Sequence, residues 1–146
     1  FVIAYYNLAR ALTEAGRPDE ALPHYETALR LDPDSSQVQH SIITIHNHLG
    51  RAFLAQDQLR KAILHFQKAL KLKPDYTIAR NNLGVAFLQS KRYQEAIDQF
   101  QQILKLEPGN TSALNNLDLA IQSQREVEQK GASEIQIRLK GWDNQP

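Results

Sequence analysis

Cysteine and methionine are absent from this 146-residue chain, tryptophan occurs once, and neither sign of charge prevails, with 17 Lys and Arg against 16 Asp and Glu. Each absence removes a class of function. Without cysteine there are no disulfides and no thiolate metal ligands. A net charge of +1, with basic residues scattered among acidic ones, lacks the concentrated basic patch that a nucleic-acid or anionic-membrane surface requires. No apolar run approaches the roughly 18 residues of a membrane span, so no membrane insertion is expected. A glycine-rich phosphate loop, a nucleophile elbow and a carboxylate pair set apart from ordinary solvated faces are also missing. The expectation is a non-enzymatic chain with no cofactor. Because it opens at Phe1 inside an amphipathic pattern, it reads as a fragment of a longer protein, with the cytoplasm as its default address.

What is present is helical periodicity in a repeating block. In residues 74–108, Leu83, Gly84, Phe87 and Leu88 mark an apolar stripe at helical spacing, and the polar run Gln89 to Arg92 interrupts it. Ala96, Ile97, Phe100 and Leu104 begin a second stripe, which Pro108 stops. Asn-Leu-Gly at 82–84, Tyr93, Glu-Ala-Ile at 95–97, Phe100 and Pro108 together resemble the tetratricopeptide repeat, whose period is 34 residues. Pro74 lies 34 residues before Pro108. Leu49, Gly50, Phe53, Leu59, Ala62, Phe66, Ala69 and Leu72 hold the places of Leu83, Gly84, Phe87, Tyr93, Ala96, Phe100, Ile103 and Leu106.

The pattern recurs once more as Tyr5, Leu8, Ala9, Leu12, Pro18, Ala21, Tyr25, Ala28 and Leu31, but Pro33 lies 41 residues before Pro74. The seven extra residues, about 36–42, carry Val38 and Ile42, which extend the stripe of Ile45, Leu49 and Phe53. Seven residues are nearly two helical turns, so the phase is kept and one helix is predicted from Ser36 to about Ala55. Ser36 and Gln39 have the spacing of a capping box. The plain reading of this overhang is packing against its neighbours, and the functional one is a protruding contact for a partner. In the first unit Pro23 forfeits a backbone hydrogen bond, which predicts a kink or frayed start.

The predicted organisation is a solenoid over 1–131, with repeats at about 2–35, 43–76 and 77–110 and a capping helix at 111–131, followed by a C-terminal tail. Gly131 is the expected helix stop. From 132 to 146 the tail is expected to be extended or disordered, because Ile135, Ile137 and Leu139 alternate with polar residues at a strand period. The fold class is all-α. The resemblance implies a right-handed superhelical solenoid of helix-turn-helix repeats, with first helices lining the concave face.

At 100° per residue, Ile78, Asn81, Asn82 and Val85 lie opposite the packing stripe of their helix. The equivalents are Ile3, Tyr6, Asn7 and Arg10 in the first unit, and Thr44, Asn47, His48 and Arg51 in the second. Ser112, Asn115, Asn116 and Leu119 follow in the last. These residues form the candidate groove, basic at the end of Arg10 and Arg51 and apolar at the end of Val85 and Leu119. Asn7, Asn82 and Asn116, with His48 at the matching place, form a row of amide positions, and an amide can donate and accept along an extended peptide backbone. The alternative is that these amides bond a neighbouring helix. The resemblance implies the first use, since tetratricopeptide proteins with an asparagine ladder grip substrate backbone this way, among them the glycosyltransferases that modify serine and threonine with N-acetylglucosamine. The family's basic clamp for acidic chaperone tails is implied absent, because Tyr6, Arg10, His48, Ile78 and Asn82 stand at its positions. His46 and His48 point to different faces and His24 and His65 are repeat equivalents, so no metal site is expected.

The reading is a protein-interaction module whose groove holds a partner segment with acidic and aliphatic residues at separate ends. The alternatives are a substrate-recruiting arm of a larger enzyme, such as a glycosyltransferase, and a self-assembling unit joined through the tail or the overhanging helix.

Overall fold

A computed structural model describes residues 1–142, with side chains through residue 140. Within them lie α1 (Val2–Glu14), α2 (Pro18–Leu31), α3 (Ser36–Ala55), α4 (Leu59–Leu72), α5 (Thr77–Gln89), α6 (Tyr93–Leu106) and α7 (Thr111–Trp142). No strand occurs among the described residues. Neighbours in sequence pack as antiparallel pairs, α1 with α2, α3 with α4 and α5 with α6, and α7 closes on α6.

Each pair turns through one backbone device. Gly16, Asp57 and Lys91 hold equivalent places with φ of +74°, +57° and +59°. The following N–H groups, of Arg17, Gln58 and Arg92, each reach back 2.9 Å to the carbonyls of Leu12, Phe53 and Phe87. This is the left-handed stop that satisfies the last carbonyls of a helix. The two helices of a pair can then approach closely because Ala9, Gly50 and Gly84 are small. A Cβ on Gly50 would sit 2.5 Å from Cε1 of Phe66, and one on Gly84 2.5 Å from Cε1 of Phe100. Both rings are fully buried, so the backbone of each first helix is the surface on which its pair's phenylalanine rests.

The two added turns of α3 put one face into the core. Helix α3 runs unbroken over Ser36–Ala55, with Val38 and Ile42 buried against Ala9, Ala21, Tyr25 and Ala28 of the first pair. The expected capping box is corrected: the N-cap is Ser35, and the Gln39 amide donates instead to the carbonyl of Pro33 at 2.7 Å. The expected frayed start at Pro23 is also corrected, because α2 is helical from Pro18 and Ala21 N–H already bonds Arg17 O at 3.2 Å. Proline at the first helical position presets that turn, and the burial of Ala21, Tyr25 and Ala28 holds it.

The expected stop at Gly131 and the extended or disordered tail beyond it are overturned as far as Trp142, since α7 is one helix of 32 residues, Thr111–Trp142. A lone interior glycine costs only about 1 kcal/mol relative to alanine, and no proline or polar turn reinforces it. The alternation of Ile135, Ile137 and Leu139 suits a helix equally, with Ile135 and Leu139 one turn apart on one side and Ile137 on the other. The remainder of that tail, 143–146, lies outside the described residues.

Candidate peptide-binding groove

The candidate groove is built from one face of the first helices, and its geometry follows from two amide bonds. Asn82 Nδ2 donates to Asn47 Oδ1 at 3.1 Å, and Asn116 Nδ2 donates to Asn81 Oδ1 at 3.0 Å. These bonds join α3 to α5 and α5 to α7, so three first helices stand side by side with matched faces. The row of amides is therefore tied to its neighbours, which the sequence treated as the alternative to gripping a ligand. Each donating amide keeps its second N–H and its carbonyl oxygen.

The wall is graded in depth. Asn47 is buried, and Asn81, Asn82, Asn116 and Val85 are half-buried, whereas Ile78, Asn115, Leu119, Arg51 and His48 are exposed. Between α5 and the start of α7 lies a cleft of about 210 Å³ lined by Thr77, Ile78, Asn81, Asn82, Asn110 and Ser112. Asn110 shapes its far lip: its Oδ1 caps α7 by accepting from Ala113 N–H at 3.0 Å, and its Nδ2 donates to Glu107 at 2.7 Å.

The first unit does not join this row. Tyr6, where a linking asparagine stands in the later units, turns edge-on to Tyr25 at 5.7 Å between ring centres. Asn7 and His48 are exposed and make no amide link. At this gap a cleft of about 300 Å³ is lined by Thr13, Gly16, Pro18, Thr44, Ile45 and His48. Arg10 pairs with Glu14 at 3.4 Å on its own helix, both exposed, so its charge is partly shared and Arg51 is the less encumbered cation.

Sequence spacing missed one arrangement altogether. His46 and His65, on α3 and α4, bring their Nδ1 atoms to 3.0 Å, with the Phe53 ring 5.3 Å from His65. Burial pushes His46 down to about 4, reinforced by His65 and Lys68. Burial also lowers His65, with Lys68 acting in the same sense and Asp19 opposing. Both rings are neutral near pH 7 and bond each other inside the α3–α4 pair. The signal in the sequence is that 46 and 65 fall on facing stripes of one unit. Among the described residues no group of three or more His, Asp or Glu is placed to hold a metal ion.

A tetratricopeptide repeat profile matches residues 2–75, and a second profile of the same description matches residues 48–111. No curated protein matches the chain. Among solved structures, the first TPR of Spaghetti (RPAP3) bound to the HSP90 peptide SRMEEVD is similar at 22% identity, over 85% of this chain and 93% of that one, with a TM-score of 0.57. The Hsp90 co-chaperone Cns1 from Saccharomyces cerevisiae is similar at 19% identity, over 95% of this chain and 44% of that one, with a TM-score of 0.64. The second TPR domain of human RPAP3, in complex with the HSP70 peptide SGPTIEEVD, is similar at 20% identity over 82% and 93%, with a TM-score of 0.50. At such identities the likeness is one of fold. With one profile spanning residues 2–75, another carrying the pattern to 111, and seven described helices paired as that repeat pairs them, the chain belongs to the tetratricopeptide repeat family and forms an all-α solenoid.

Proposed function

We propose that this chain is a non-enzymatic protein-interaction module that holds an extended partner segment along the faces of α3, α5 and α7. The observation that carries the reading is the pair of inter-helix amide bonds, Asn47 with Asn82 and Asn81 with Asn116. They fix the spacing of the wall while leaving unused donors and acceptors beside the exposed Ile78 and the cleft over Asn81 and Asn82. A peptide backbone meets polar groups there, and its alternate side chains meet apolar ones. Two of the similar folds carry peptides ending in EEVD, but this chain has Tyr6, His48 and Ile78 where a basic clamp would be needed. The ligand we favour is acidic only at the end near Arg51 and aliphatic toward Ile78, Val85 and Leu119.

The test is fluorescence anisotropy with short labelled peptides that are acidic at one end and aliphatic at the other, against scrambled versions of the same composition. Arg51→Ala and Ile78→Asp should each weaken binding about tenfold, equivalent to about 1.4 kcal/mol. Gln67→Ala, on the exposed side of α4, should leave it unchanged. Equal binding of ordered and scrambled peptides, or equal binding by all three variants, would sink the proposal.

A further inference from the structure

Helix α7 has two halves with different surroundings. In the first, Ala113 and Ala120 are buried and Leu117 and Ile121 pack beside them in the core shared with α6. At 100° per residue the same side of the helix continues through Val127, Gly131, Ile135 and Leu139. From Arg125 to Lys140, however, every residue is exposed except the half-buried Gly131, and Val127, Ile135 and Leu139 are 56%, 60% and 58% exposed. Space around Gly131 is open, with nothing within 4 Å of where a Cβ would stand. A face carrying Val127, Ile135 and Leu139, with Glu128 and Arg138 among them, thus runs on, in phase, for about 24 Å past the last contact with the body. A helix of that length is marginal in water unless its apolar side is covered.

We propose that this projecting half of α7 pairs antiparallel with the same segment of a second copy of this chain. Charge selects that occupant and its register. When Val127 faces Leu139 of the other copy and Gly131 faces Ile135, Glu128 stands opposite Arg138, and twofold symmetry repeats all three matches. Of the charges nearer the middle of that register, Glu134 faces Ala132 and Lys130 faces Gln136, so neither meets a like charge. A parallel arrangement would set Glu128 against Glu128 and Arg138 against Arg138. The missing Cβ at Gly131 lets the partner's Ile135 seat against backbone, as Phe66 and Phe100 seat against Gly50 and Gly84 inside the molecule. Antiparallel pairing also puts the two solenoid bodies at opposite ends, and a net charge of +1 offers little repulsion between them. Two such segments bury less than the roughly 1,200–2,000 Å² of a standard interface, so the pairing is reversible and concentration-dependent.

Sedimentation velocity of the full chain over a concentration series tests this. The mass is expected to rise from 16.6 kDa toward twice that value. Ile135→Glu should move the midpoint to at least about tenfold higher concentration while leaving the helical circular dichroism unchanged. Glu128→Arg and Arg138→Glu should each weaken pairing, and the double variant Glu128→Arg/Arg138→Glu should restore it, because the swapped charges still face each other. A mass of 16.6 kDa at every concentration overturns the proposal. So does a dimer indifferent to Ile135→Glu, which would place the contact elsewhere, such as the exposed Phe1 and Ile3 of α1. A double variant that pairs no better than the single ones overturns the antiparallel register.

Discussion

At the scale of single residues, two positions carry consequences larger than their size. Gly84 is helical, and alanine there would gain about 1 kcal/mol of helix propensity. Yet its Cβ would meet the fully buried Phe100 ring at 2.5 Å, and overpacking of this kind costs about 1–3 kcal/mol. Gly84→Ala is therefore expected to destabilise in urea unfolding, and Phe100→Leu added to it should cost less than the sum of the two separate losses. His46 gives a pH dependence. Its folded value of about 4 lies below its ordinary 6.5, so the unfolded chain binds the proton more readily between those values. Stability is then full above pH 6.5, falls as pH drops toward 4, and levels off below, with a total loss on the order of 3 kcal/mol from this group. His65, Lys68 and Asp19 face the same site, and the lowered value of His65 adds a loss of the same sign. A His46→Leu variant should flatten the slope of unfolding free energy across that window. An unchanged slope would show that the histidine pair is not its source.

At the scale of elements, the longest helices depart most from the repeat, and they do so for opposite reasons. The two added turns of α3 are buried on arrival, because Val38 and Ile42 fall on the stripe that meets the first pair. Ile42→Ala should cost about 2–5 kcal/mol, the usual range for emptying a core site. Since each unit touches only its neighbours, the loss should appear as faster amide exchange in α1 and α2 while α5 and α6 keep their protection. Uniform loss of protection would contradict that local picture. The added turns of α7 instead project into solvent. Helical phase was legible in both elements from sequence, but whether a stripe has something to pack against is a property of the neighbours. In α7 the isolated glycine and the alternating apolar residues read locally as an ending and a strand. Uninterrupted hydrogen bonding and good helix formers on both sides outweigh them.

At the scale of the whole molecule, the solenoid turns equivalent sequence positions into a continuous wall, and it does so unevenly. From α3 to α7 the linking asparagines recur at a spacing of 35, one more than the repeat, because each amide bonds the neighbouring position in the next unit. The first unit, with Tyr6 in place of a linking asparagine, stays outside the row. On the proposed reading, the aliphatic end of a partner segment would lie where the amide bonds tie α3, α5 and α7 together, and its acidic end near Arg51, beside the first unit that has no such bond. What the sequence by itself determined was the repeat: its period, its small and aromatic positions, the seven added residues and the face turned away from the core. Those features are local and periodic, so helical geometry alone makes them readable. The tertiary structure alone decided which amides are already bonded, that His46 meets His65, and that Arg10 shares its charge with Glu14 while Arg51 does not. It also decided that α7 runs on to Trp142 and that its side chains from Arg125 to Lys140 are uncovered except at the half-buried Gly131. Each of these depends on which side chains come within hydrogen-bonding or packing distance, and periodicity specifies a face but not the atoms that meet it.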